Sequence, residues 1–138
     1  MPRLVNPARL RLRPLWLTLG WALVLFIVYE SLTPRPLEIQ VEQGDKLGHM
    51  AAYLVLMSWF ANIYENTGER VVCALGCVAL AVGLEFAQRL TPTRTFEIAD
   101  MVAGAIGVLI ALALAPPRLP NYLRFTERLS GVGRNRDE

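Results

Sequence analysis

Asp45, His49 and Tyr53 recur at intervals of four, so on a helix they climb one face. Lys46 stands beside the first of them. Glu85 and Gln88 share a face through their i,i+3 spacing, and Arg94 and Asp100 bracket the start of another apolar run. An imidazole among carboxylates suits proton transfer: His49, Glu85 and Asp100 are the catalytic candidates, as acid and base, if the protein is an enzyme. Lysine and arginine suit an anion, because their N–H groups make charge-assisted hydrogen bonds to phosphate or carboxylate oxygens. Asp45, Lys46, His49 and Tyr53, with Glu85, Gln88, Arg94 and Asp100, are thus the candidate ligand-binding residues.

Most of these residues also suit an ordinary structural role. Asp45 follows Gly44 ahead of an apolar run and fits a helix cap. Lys46 fits a cation snorkelling to the headgroups, and Tyr53 a core aromatic. Thr95 fits a cap and Glu97 the first turn behind it. Glu85 and Asp100 fit no such role. Glu85 ends its helix, where the macrodipole disfavours an anion. Asp100 lies past the first turn, on the face of Gly104, Gly107 and Ala111. Ionisable groups in apolar segments are costly and face a partner or a cavity. Lys46, Arg94 and His49 are the available counter-charges, so the alternatives are an outward polar pocket and an ion-paired clasp joining three helices.

Bringing these residues together requires elements of unusual apolarity. Of 138 residues, 54% are hydrophobic and 19% charged, and the mean hydropathy is +0.36. A small soluble domain needs more surface charge than that. Four apolar runs, near 15–33, 46–64, 71–88 and 96–115, are each about the 20 residues that cross a bilayer. The expected fold is all-α: a four-transmembrane-helix bundle over residues 15–115, with a basic amino-terminal segment 1–14 and a basic tail 116–138. A separate soluble catalytic domain has no room. The basic start followed by an apolar run also describes a signal peptide, but no small-x-small cleavage site follows it.

The net charge of +2 hides a segregation. With the amino terminus cytoplasmic, ten of the fourteen Lys and Arg residues fall inside: Arg3, Arg9, Arg11 and Arg13, then Arg70, then five in the tail. Arg35, Lys46, Arg89 and Arg94 fall outside, with Glu30, Glu38, Glu42, Asp45 and Glu97. Both termini are therefore expected in the cytoplasm, and the polar groups at one outer surface, because successive spans alternate direction. Terminal arginines explained by topology leave no case for nucleic acid.

Small residues recur every fourth position in the third run (Ala79, Gly83, Ala87) and the fourth (Ala99, Ala103, Gly107, Ala111, Ala115), which predicts contact between these two helices. Cys73 and Cys77 share a helical face at a spacing that does not suit a disulfide, and read as small core residues. In the tail, Leu119, Tyr122, Leu123, Thr126 and Leu129 are expected to line one side of an interfacial helix. A single histidine excludes a two-His metal triad. Three carboxylates suit oxygen coordination of a divalent ion, but they equally balance Lys46 and Arg94, so no metal and no cofactor is expected.

Asp45-Lys46-Leu47-Gly48-His49 with Tyr53, then Glu85-Phe86-Ala87-Gln88, then Arg94 and Asp100 with Gly104 and Gly107, together resemble the VanZ-like family of small multi-pass membrane proteins. The matching stretch runs from Asp45 to Gly107, close to half the chain. Ala103 departs from the pattern, since such sequences often carry Asn there, and a side-chain hydrogen bond is lost with it. The resemblance implies a multi-helix domain in the cytoplasmic membrane of a bacterium. The family's namesake is associated with low-level resistance to the glycopeptide teicoplanin; nothing in this chain reads a glycopeptide.

The leading expectation is a protein whose outward pocket binds or modulates a cell-envelope lipid or lipid-linked precursor. Lys46 and Arg94 would be the cationic donors. An intramembrane hydrolase or transferase acting on such a lipid is the enzymatic alternative, although no Ser or Cys stands beside His49 as a nucleophile. A structural protein held by the ion-pair clasp is the third. A transporter ranks below these, because four short spans leave little room for a through-path unless the chain forms a homo-oligomer.

Overall fold

The computed structural model describes residues 10–37 and 40–131. Arg3, Arg9, Glu38, Arg134 and Arg136, which enter the charge count, lie outside these residues. The described residues form five helices and no strands: α1 (Arg13–Leu32), α2 (Gly44–Ile63), α3 (Thr67–Gln88), α4 (Ile98–Ala113) and α5 (Tyr122–Leu129). The all-α expectation stands. α1 to α4 run alternately up and down, and α2 lies at the centre, against α1, α3, α4 and α5.

Local chemistry sets the boundaries. Pro14 occupies the first turn of α1, where its missing N–H costs nothing, and Thr33-Pro34 ends the helix. α3 starts four residues before the expected Val71, because the Asn66 side chain accepts from the Gly68 N–H at 2.7 Å and caps it. Asp45 does not cap α2. The helix begins at Gly44 behind Gln43, whose φ of 57° is left-handed, so Asp45 falls in the first turn with its side chain exposed. Thr95 does not cap α4 either; Glu97 holds that position, without a side-chain cap bond.

Two helices, α1 and α3, are long and apolar enough to cross a membrane. α4 is apolar but has 16 residues, about 24 Å against a hydrocarbon core of about 30 Å. α2 is long enough, with 20 residues, but it carries Asp45, Lys46, His49, Ser58 and Asn62.

α2 and α4 make the closest approach. A Cβ on Gly107 would lie 2.2 Å from the Met50 carbonyl oxygen, and one on Gly104 would lie 3.1 Å from the Tyr53 ring and 3.3 Å from Ala81 Cβ. Gly107, Ala111 and Ala115 of the expected small-residue stripe are buried, whereas Ala99 is exposed. α3 does touch α4, as expected, but not through Ala79 and Gly83, which are exposed; a Cβ on Gly83 meets nothing. The buried face of α3 carries Cys77, Ala81, Leu84, Glu85 and Gln88 instead. Cys77 is buried, Cys73 half-buried, and both are free thiols.

At the opposite end from Asp100 the tail docks onto the bundle. α5 buries Leu123 and Glu127, while Leu119, Tyr122 and Leu129 of the expected stripe are exposed. The Glu127 carboxylate accepts from the backbone N–H groups of Arg11 (2.9 Å) and Leu12 (2.8 Å) and from the Trp16 indole (2.8 Å). Asn121 donates to the Asn62 carbonyl, and Arg70 donates to the carbonyls of Ala61, Tyr64 and Pro116. Polar groups close this end of the bundle.

Candidate functional site

The end of α3 and the starts of α2 and α4 meet at the other end of the bundle. One ring nitrogen of His49 and one carboxylate oxygen each of Glu85 and Asp100 lie within 4.8 Å of one another. Three helices supply them, and the glycine contacts of α4 explain the convergence. Gly104 and Gly107 let α4 lie directly on α2, and Asp100, one turn before Gly104, is carried to His49.

Each member is held. His49 Nδ1 lies 2.8 Å from the Asp45 carbonyl oxygen. A carbonyl only accepts, so Nδ1 donates, and in the neutral ring the lone pair sits on Nε2. Glu85, 2% exposed, accepts the Glu97 backbone N–H at 2.7 Å. Its carboxylate thus caps the amino-terminal end of α4, where a helix favours an anion. That relation resolves the mismatch with its own helix end. Asp100 is 7% exposed, and its Oδ1 is buried without a hydrogen-bond partner among the described residues.

Of the expected counter-charges, His49 lies with the two carboxylates, whereas Lys46 and Arg94 are elsewhere. Lys46 pairs with Glu97 at 3.1 Å, near the surface on the side of α2 facing Met50, Ala103 and Ile106. Arg89 lies over the Phe96 ring, 4.7 Å from its centroid. Gln88 is buried and donates to the Ser31 carbonyl at 2.8 Å, tying α3 to α1. Among the described residues neither Lys46 nor Arg94 pairs with the two buried carboxylates, which leaves His49, within 4.8 Å of both, as the counter-charge of the expected clasp.

Arg94 lines a hollow of about 280 Å³ between α1 and α2. Asp45, His49, Glu30 and Ser31 supply its other polar atoms, and Phe26, Ile27, Pro36, Leu37 and Ala52 its apolar wall. Tyr53, 2% exposed, forms part of its floor and packs on Gly104. One continuous recess was the expectation; the structure has two compartments. The carboxylates of Glu85 and Asp100 lie buried behind, the hollow opens in front, and His49 belongs to both. The contribution of α1 was not anticipated. Glu30, whose carboxylate accepts the Leu37 N–H at 2.8 Å, was legible only as one of several outer acids. No family model, no curated protein and no solved structure matches the chain.

Proposed function

We propose that the protein is a four-span protein of a bacterial cytoplasmic membrane that binds the anionic headgroup of an envelope lipid or lipid-linked precursor in the hollow between α1 and α2. The carrying observation is the make-up of that hollow: a cation, Arg94, together with an apolar wall that includes Phe26 and Ile27. Such a site matches an amphiphile with a charged head and a hydrocarbon stem. Arg94 would hold a phosphate oxygen pair through its planar fork. Asp45 would take neighbouring hydroxyls, and the α1 wall would take the stem.

The membrane reading rests on where apolar side chains face. Leu25, Val72, Leu75, Leu109 and Ile98 are each more than 60% exposed, whereas Glu85 and Asp100 are buried. Apolar surface on this scale needs a covering, and a bilayer provides one. The resemblance to the VanZ-like family supports a bacterial membrane, and the charge segregation supports the orientation with Arg94 outside.

Lipids that copurify with the detergent-solubilised chain, identified by mass spectrometry, test the binding. Arg94→Ala is expected to lower the anionic lipid retained about tenfold, equivalent to one charge-assisted contact of roughly 1.4 kcal/mol. Arg118→Ala, in the tail beyond α4, is expected to retain the wild-type complement. Equal lipid on Arg94→Ala and wild type would end the proposal, as would reporter fusions that put Arg94 on the cytosolic side.

A further inference from the structure

We infer that His49, Glu85 and Asp100 form a binding site for a first-row divalent metal ion of the zinc or manganese class. Three observations carry it. The first is convergence: one imidazole nitrogen and two carboxylate oxygens, from three different helices, lie within 4.8 Å of one another. Bonds of about 2.0–2.2 Å to a shared ion would set such atoms roughly 3.4 Å apart. A bound ion would draw the three groups together by that margin.

The second is a missing charge. Two carboxylates are buried side by side, and Asp100 Oδ1 has no hydrogen-bond partner among the described residues although the residue is 93% buried. A carboxyl taken out of water is paired, coordinated or protonated, and a bound cation is what would let both of these stay ionised. The neighbouring cations are engaged or turned away: Lys46 on Glu97, Arg89 on the Phe96 ring, Arg94 at the hollow. A divalent cation would make the cluster neutral.

The third is the outer support of the ligands. His49 donates through Nδ1 to the Asp45 carbonyl, the arrangement that orients a metal-binding imidazole and reserves Nε2 for the ion. Glu85 is fixed through one oxygen by the Glu97 N–H. The α2–α4 contact at Gly104 and Gly107 holds the helices that carry two of the three ligands. The nitrogen ligand favours zinc over magnesium and calcium, which take oxygen sets, and the two carboxylates also suit manganese. The inference does not depend on the lipid proposal, since the metal would bind whether or not the hollow is filled.

The test uses the full chain, purified in detergent without a histidine tag and stripped with a chelator. Equilibrium dialysis against Zn²⁺ and against Mn²⁺, with the bound metal measured by plasma mass spectrometry, is expected to give one ion per chain for at least one metal. Asp100→Asn and Glu85→Gln are each expected to weaken that binding by about 100-fold or more, since even outer-shell losses cost about 10- to 100-fold. The Cys73→Ser/Cys77→Ser double variant is expected to bind as the wild type does. Wild-type chain that takes up neither metal overturns the inference, whatever the variants do. So does uptake that disappears with the two thiols and survives Asp100→Asn.

Discussion

Gly107→Ala is expected to destabilise the helical bundle by about 3 kcal/mol or more, within the upper range for overpacking a tight interface. The added Cβ would stand 2.2 Å from the Met50 carbonyl oxygen and 3.0 Å from the Leu54 nitrogen, and both are backbone atoms that no rotamer change can move. Relief requires α4 to withdraw from α2, which also separates Asp100 from His49. Gly83→Ala is the matched comparison. Its Cβ meets nothing within 4 Å in the exposed face of α3, so the change is expected to be neutral or to stabilise by up to about 1 kcal/mol through helix propensity. Denaturation in mixed micelles, followed by far-ultraviolet circular dichroism, checks both. A Gly107→Ala chain as stable as wild type would contradict the packing of α2 on α4.

Glu127→Ala is expected to cost about 3 kcal/mol and to release α5 from the start of α1, because three N–H donors would lose a charged acceptor together. α1 has no side-chain cap of its own at Leu12, so Glu127 performs that office from 115 residues away. Burial pushes the Glu127 carboxyl up, but the donors from Leu12, Arg11 and Trp16 outweigh it and hold the group below the usual carboxylate range. A depressed folded-state value stabilises the docked form above the unfolded value, and that stabilisation is lost as pH falls through the folded one. The protection of the Leu12 amide, its exchange rate relative to an unstructured amide at the same pH, should therefore be high at neutral pH and be lost in acid. Glu127→Gln should show low protection already at neutral pH. If Glu127→Gln instead keeps the protected amide and the same acid response, the carboxylate is not what holds the tail.

Much of the candidate site was legible because ionisable residues in an apolar run are informative wherever they fall. Glu85 and Asp100 stood out on cost alone, and the four-residue spacing of Asp45, His49 and Tyr53 placed them on one helical face. The partners of these residues were not legible. Lys46 was within reach of several carboxylates by sequence, and only the path of the loop before α4 put Glu97 nearest to it. Gln88 looked like a site residue through its spacing from Glu85, yet its amide is taken by Ser31 on a helix that carried no signal for the site. The Ala79–Gly83 stripe misled for a related reason. Small residues permit close approach, but do not say on which side a neighbour lies.

Periodicity, charge segregation and helix-end chemistry determined an all-helical chain, its alternating helices and the common end at which its polar residues gather. These are local properties, each set by a residue and its near neighbours. The tertiary structure decided which helix faces which: α2 at the centre, α4 lying on it at Gly107, the hollow bounded by α1, and Glu127 closing the far end. Such choices depend on rotations of whole helices about their axes. A periodic pattern leaves that rotation open, and simultaneous packing of all the neighbours selects it.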